Sequence, residues 1–378
     1  MQFEKEVQNK LNIIFKDFTY VDCIAEELLD DKTQISISRE DFPVEAILLF
    51  TLHKICKFSP IYRWDKMHWG IIFKYKGIVN LISSHKFGMR MYSQKVEGEA
   101  KYQVEIINKL KKNIKYIEKD ILTKYGEDQI LSSNFTIQNN FHKLNNQYLY
   151  FRKQAQDLFS EKPFCNKKNA DFNEIMNLYL SKKEFDIHAV YNALAMIDSY
   201  FSRLEHLLVL SLPFVKSNQS YDMKKFIGEI WSKKYVEVLG LKGEAKRIFD
   251  ELNTIKERYR NTFAHGGFEK KGHSFHFHLE NYGAIPATMS DYKNSVHFRS
   301  TPLDKKKFQQ ICKLLDDLDN FFSENFESVW MFCLSGLDLI MDNKSLSLML
   351  YKAMDLEIFE DWLENENERL CNYINADY

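Results

Sequence analysis

Seven apolar residues, Ile187, Val190, Leu194, Ile197, Phe201, Leu204 and Leu208, recur at alternating spacings of three and four. That spacing puts them on one stripe of a long helix, which Pro213 is expected to stop. A helix with such a stripe is stable only when other helices cover it, so the second half of the chain reads as a helical bundle. Asp198, Ser202 and Glu205 line a less apolar side of the same helix. Further helices are predicted over 222–239, ended by Gly240, over 244–265, ended by Gly266 and Gly267, and over 303–322. Between the last two, GHSFHFHLENYGAIPATMS alternates in the manner of a β-hairpin.

The first half reads differently. Residues 42–57 look helical, whereas 70–93 are rich in β-branched and aromatic residues punctuated by Gly77 and Gly88, which fits a small antiparallel sheet. Helical spacing returns over 98–124 and again over 140–160, and those two helices are expected to pair as a hairpin. Low Gly (13) and Pro (6) usage agrees with a mainly helical chain. The polar, turn-rich stretch 161–186 is where a boundary is expected. The predicted fold is therefore mainly α: an N-terminal α+β domain (1–165), a linker (166–185), a helical-bundle domain with a β-hairpin insertion (186–325), and C-terminal helices packing on that bundle (326–378).

Lys and Arg (52) nearly cancel Asp and Glu (53), so no global positive field draws the molecule onto nucleic acid. Any such contact must be local. Six scattered cysteines without a CxxC pair argue against a zinc knuckle or a disulfide framework. The first residues, MQFEKEVQNKLNIIF, do not read as a signal peptide, and the apolar stretch 329–341 is too short to span a bilayer and contains Asp338. It is read as a buried helix. A cytoplasmic protein with free thiols and no membrane contact is the expectation.

The helix over 244–265 carries the chemistry. At about 100° per residue Ile248, Leu252, Ile255, Tyr259 and Phe263 share a narrow arc, its core-facing side. With the centre of that arc at zero, Asn261 falls at roughly 180°, Glu257 at about 140°, His265 at about −140° and Arg260 at about 80°. Asn261 sits one turn before His265, close enough to orient its imidazole. Glu257 and Arg260 can pair at i and i+3. A helix end just beyond His265 favours the imidazolium, as a general acid requires.

The run Arg260-Asn261-Thr262-Phe263-Ala264-His265 resembles the R-N-x-x-x-H signature of the HEPN superfamily, which includes bacterial toxins, abortive-infection proteins and CRISPR-associated RNases. The resemblance covers roughly 186–322 and implies a four- to five-helix bundle. It also implies a metal-independent endoribonuclease, in which an RNA 2′-hydroxyl attacks the adjacent phosphate and leaves a 2′,3′-cyclic phosphate. By that resemblance His265 is the general acid/base, Arg260 the charge that holds the phosphate, and Asn261 a polar orienter. The acidic residue in FSRLEHLL makes Glu205 a supporting candidate beside Glu257. No cofactor or metal is implied. One Arg/His set per chain, opposite the core stripe, implies a homodimer with a composite site.

Other constellations carry less. Arg63 and His68 repeat the Arg-x₄-His spacing in RWDKMH, but lack Asn after Arg and precede strand-like sequence, so they are read as coincidence. His273, His276 and His278 suggest a metal site, yet only the last two share a strand face and no cysteine completes a set. Lys109, Lys111, Lys112, Lys115 and Lys119 form a run interrupted by Glu118, read as a solvated helix face. Tyr62, Trp64 and Trp69 are read as core rather than base-stacking residues. The function expected is a regulated toxin or antiviral effector that cleaves single-stranded RNA, with the N-terminal domain as sensor or as docking site for an antitoxin or phage-sensing partner. The alternative is a catalytically inactive HEPN scaffold that binds RNA or nucleotide. A CRISPR-type RNase gated by a cyclic oligonucleotide requires a nucleotide-binding α/β domain in front, and neither its strand–helix alternation nor a Gly-rich phosphate turn precedes residue 165.

Overall fold

The computed structural model describes residues 5–21, 32–62, 67–95, 98–160, 172–217, 219, 221–260, 275–280, 283–289, 296–297 and 303–375. The chain is mainly helical, with a small antiparallel sheet near its N-terminus. It divides into two compact units, Met1–Ser132 with Cys371–Tyr378, and Ser133–Leu370.

In the first unit, helix α1 (Lys5–Ile14) leads into strands β1 (Phe18–Tyr20) and β2 (Lys32–Ile37). Helix α2 (Glu45–Phe50) continues as a π-helical turn, Thr51–Ile55. Strands β3 (Pro60–Ile61), β4 (Met67–Tyr75), β5 (Ile78–His85) and β6 (Gly88–Gln94) follow, and the sheet runs β1-β4-β5-β6-β2 with β3 on β4, every pair antiparallel. Lys76 and Gly77 both take positive φ in the two-residue β4–β5 turn, the conformation whose twist matches a hairpin. Alternation then sorts the sheet's faces. Ile71, Phe73, Tyr75, Ile82 and Met91 point to α1, α2 and helix α3 (Glu99–Ile117), which contributes Ile106, Leu110 and Ile117. Ile72, Val79, Leu81 and Tyr92 form a smaller cluster on the reverse. A second π-helical turn, Glu118–Leu122, joins α3 to α4 (Thr123–Leu131). Of the aromatic residues read as core, Trp69 is buried but Tyr62 is exposed, past the end of the short strand β3; Arg63 and Trp64 lie outside the described residues and His68 is in β4.

The second unit begins with strand β7 (Thr136–Ile137) and helix α5 (Phe141–Ser160), followed by α6 (Phe172–Val215). Two expectations change here. Residues 172–185, read as linker, already belong to α6, and α5 packs on α6 inside this unit instead of pairing with α3. A polar composition is compatible with a solvated helix as well as with a linker, so it did not separate the two. Nor does Pro213 stop α6. Only the last turn follows it, so a single backbone bond is forfeited. Beyond the stripe read from the sequence, Ala189, Ala193, Met196, Tyr200 and Leu207 are also buried, whereas Ile187 is exposed. Helix α6 is thus covered on two sides, by α5 at Tyr148–Tyr200 and by α8 at Phe201–Trp231.

The predicted helix over 222–239 is two: α7 (Met223–Gly228), capped by Asp222, and α8 (Trp231–Leu239), separated by the extended Glu229–Ile230. Helix α9 (Gly243–Ile255) runs into a third π-helical turn, Lys256–Arg260. Strands β8 (Phe275–Leu279) and β9 (Gly283–Met289) form the expected antiparallel hairpin, extended by β10 (Val296–His297). Helix α10 (Lys305–Asn325), capped by Asp304, and α11 (Glu327–Ser335) come next. Gly336, with φ +74°, ends α11, so the stretch 329–341 is not one helix; strand β11 (Leu339–Ile340) follows and pairs with β7. Asn139 ties the two ends of the unit further, its N–H donating to Asp338 and its amide to the carbonyls of Phe332 and Cys333. Helices α12 (Asn343–Lys352) and α13 (Leu356–Asn375) complete the chain, with Met349, Phe359 and Leu363 in the same core as α6. Among the described residues no helix is long and apolar enough to cross a membrane.

Candidate active site

Ile248, Leu252, Ile255 and Tyr259 are all buried, as the apolar spacing of this helix requires. The fixed step of 100° fails after Ile255. A π-helical turn bonds i to i+5 and so inserts one residue into the winding, which rotates everything beyond it. Angles drawn for a continuous α-helix therefore do not carry past Lys256. Asn261, Phe263 and His265 lie outside the described residues, and so does His273.

Arg260 closes the π turn and points across to α6. Its Nε donates to Asp198 Oδ1 at 2.8 Å and its Nη1 to Glu205 Oε1 at 3.4 Å. The guanidinium carbon lies 5.3 Å from the centre of the Phe201 ring, which in turn meets Trp231 edge-on. Asp198, Phe201 and Glu205 sit at i, i+3 and i+7 on α6, so one helix face supplies both carboxylates and the ring between them. Two of the five guanidinium N–H groups are thereby used, and the remainder have no partner among the described residues. The Arg260 side chain keeps about a quarter of its surface open (24%), enough to meet a ligand without leaving its anchors.

Glu205 is shared. Its second oxygen accepts from Lys234 of α8 at 3.5 Å, and the Lys234 side chain is almost wholly buried. Lys256, first residue of the π turn, lies 5.5 Å over the Trp231 ring; burial first, and then the Arg260 charge, hold its ammonium below the usual lysine value. Glu257, from the same turn, acts on Lys256 in the opposite sense. The assembly is a polar seam of three cations and three carboxylates over an aromatic floor. It fixes one arginine in orientation and leaves part of its fork outward, the arrangement that recognition of a phosphate or carboxylate oxygen uses.

Of the residues singled out in the sequence, Arg260 and Glu205 come together and Glu257 lies on the same turn. Asp198, Phe201, Lys234 and Lys256 were not assigned to the site. Asp198 and Glu205 share one face of their helix, as their spacing predicts, and helix packing, which spacing does not report, brings that face to the end of the π turn after α9. Of the other candidates, His276 and His278 are two residues apart in β8, and Lys109 and Lys111 belong to α3, where they pair with Asp17 and Asp41. Among the described residues no group of three or more His, Cys, Asp or Glu is placed to hold a metal ion. No family model, curated protein or solved structure matches the chain.

Proposed function

We propose that the second unit is a HEPN-type endoribonuclease domain and that the protein cleaves single-stranded RNA without a metal, as a regulated toxin or antiviral effector. The observation that carries this reading is the placement of Arg260. It is held by Asp198 and Glu205 at the end of a π turn, directly before Asn261 and five positions before His265. A pre-oriented guanidinium stabilises charge that develops on a phosphorane without first reorganising. His265 then moves the proton between the 2′-hydroxyl and the leaving 5′-oxygen, with Asn261 orienting its ring. π turns recur at functional sites, because they break the winding that would otherwise aim the side chain elsewhere. A homodimer that brings two such sets to one cleft belongs to the same proposal.

The test is cleavage of a labelled single-stranded RNA by the full chain in excess EDTA, with ends analysed for cyclic or 3′-phosphate. His265→Ala and Arg260→Ala should each lose about 10²–10⁴-fold in rate, and Asn261→Ala less. His68→Ala should cleave like the parent. Activity that chelation abolishes and Mg²⁺ restores would reject the mechanism.

A second reading also has an observation behind it. Two carboxylates already satisfy part of the Arg260 fork, which is how an arginine serves as a strut between helices. On that reading the domain is a catalytically inactive HEPN scaffold that binds RNA or nucleotide. A parent protein that binds RNA yet never cleaves it, together with an Arg260→Ala variant that loses stability alone, would select it.

A further inference from the structure

Two cations of the polar seam are paired and the third is not. Arg260 holds Asp198 and one oxygen of Glu205, and Lys234 holds the other. Lys256 makes no hydrogen bond or ion pair among the described residues; its ammonium lies 5.5 Å over the centre of the Trp231 ring. Glu205 cannot serve it, because both of its oxygens already accept. Burial and the Arg260 charge outweigh the pull of Glu205 and Glu257, which is why the ammonium is held below the usual lysine value. An ammonium over a ring face spends one side on the ring and keeps its N–H groups for an oxygen on the other. The side chain is half-buried, so that side is reachable from solvent.

The π turn sets this ammonium beside Arg260. Four residues apart in a turn that bonds i to i+5, the two fall just short of one full turn from each other, so their side chains leave nearly the same side. The aromatic floor agrees: the Arg260 guanidinium lies 5.3 Å over Phe201, Phe201 meets Trp231 at 5.2 Å, and Lys256 lies over Trp231. Two like charges therefore share one floor, and an oxyanion between them satisfies both. Arg260 brings the N–H groups that its two carboxylates leave over, and Lys256 brings its own.

We infer that Lys256 is the second phosphate-binding cation of the candidate site and grips, together with Arg260, one and the same phosphodiester of the RNA. The inference rests on the ribonuclease reading for its choice of anion and on the placement of the two cations for its site. A phosphodiester offers two non-bridging oxygens, one for each cation, and the charge that builds on them as the 2′-oxygen attacks then meets two fixed positive groups instead of one.

The experiment titrates the 2′-O-methyl dinucleotide of uridine, which carries a single phosphate and no attacking hydroxyl, into the full chain and follows binding by calorimetry. K256M and R260M should each bind it about 10-fold more weakly than the parent, and K256R, which keeps the charge, within about 2-fold. K224M, which removes an exposed charge from α7, should bind like the parent. Uridine alone, without the phosphate, should not distinguish K256M from the parent. Should K256M fail to fold, K256Q carries the same expectation. No binding by the parent, parent-like binding by K256M, or an equal loss in K256R or in K224M overturns the inference. With cleavable RNA, K256M should lower kcat/KM by about 10-fold and K256R should restore most of it. A parent that binds the dinucleotide through Lys256 and Arg260 but never cleaves RNA removes the ribonuclease reading and leaves the phosphate clasp standing. A parent that cleaves while K256M binds and cleaves like it does the reverse.

Discussion

Among the described residues of the sheet unit, lysines make ion pairs that bridge elements: Lys76 to Glu105, Lys109 to Asp17 and Lys111 to Asp41. In the helical unit one lysine, Lys234 on Glu205, also bridges helices, but most such pairs among the described residues use arginines: Arg152 on Asp316, Arg203 on Asp319, and Arg260 on Asp198 and Glu205. The difference follows from what each architecture leaves undetermined. A sheet's backbone ladder fixes the direction and register of its strands, so side-chain ion pairs on its covering helices need only supply charge. Packed helices have no backbone bonds to one another, and their mutual rotation is set by side chains alone. A planar fork that must meet two partners at once fixes rotation; a point charge on a flexible stem does not.

The hardest test of that comparison is Arg203. Its side chain is 3% exposed, donates to Asn145 and Asp319, and lies 4.5 Å from the Tyr200 ring centre and 4.9 Å from that of Tyr148. Arg203→Ala leaves a carboxylate facing the core without its cation and should cost about 3–5 kcal/mol. Hydrogen exchange read by mass spectrometry should show the loss in residues 133–370 and not in the sheet. Arg203→Lys should recover less than half of it, because charge without the fork does not hold three helices; full recovery would break the comparison.

Gly70 probes the sheet in the corresponding way. A Cβ there would come within 2.9 Å of Met67 Sδ and 3.1 Å of Leu81 Cδ1, at the far ends of flexible side chains, and 3.2 Å of Cγ1 of the β-branched Ile61. Gly70→Ala should therefore cost about 1–3 kcal/mol through crowding, seen as a lower urea midpoint for residues 1–132. A cost below the effect of deleting a lysine ion pair would contradict the view that backbone and packing govern this unit.

A smaller effect is expected from pH. His206 is buried and its Nε2 accepts the backbone N–H of Asn140, just before α5; burial holds the imidazole below its ordinary value. Because the folded value is depressed, the unfolded chain takes up the proton first. The helical unit should keep full stability above about pH 6.5 and lose it as pH falls below that value. Comparing melting midpoints at pH 7.5 and 5.5, His206→Gln should narrow the gap; an unchanged gap would assign the pH effect elsewhere. The smallest change belongs to Lys111→Met, which should shift the sheet unit by less than about 1 kcal/mol, and by nothing measurable in high salt.

Much of this was legible from periodicity, and the failures share a cause. Ile248, Leu252, Ile255 and Tyr259 announced their burial because a regular helix repeats its environment every 3.6 residues. The turn from Lys256 to Arg260 did not announce itself, since no residue type marks a change from i+4 to i+5 bonding. The wheel therefore aimed Arg260 at the helix flank when it faces α6. Likewise, 172–185 read as linker because composition reports solvation, not conformation. Asp198 and Glu205 were visible as a face, but their partner depended on helix packing, which is long-range information.

The pairing of β7 with β11 and the clasp of Asn139 on Asp338 also govern timing. Asn139 and Asp338 are 199 positions apart. At about 5–20 residues per second, roughly 10–40 s of synthesis separate them. The hairpins of the sheet join strands made within moments of one another, whereas α5 and α6 must wait on the ribosome for α10 and α11 to cover their apolar sides. The apolar sides of α5 and α6 are thus open during that interval, which is when chaperones and aggregation compete for the chain.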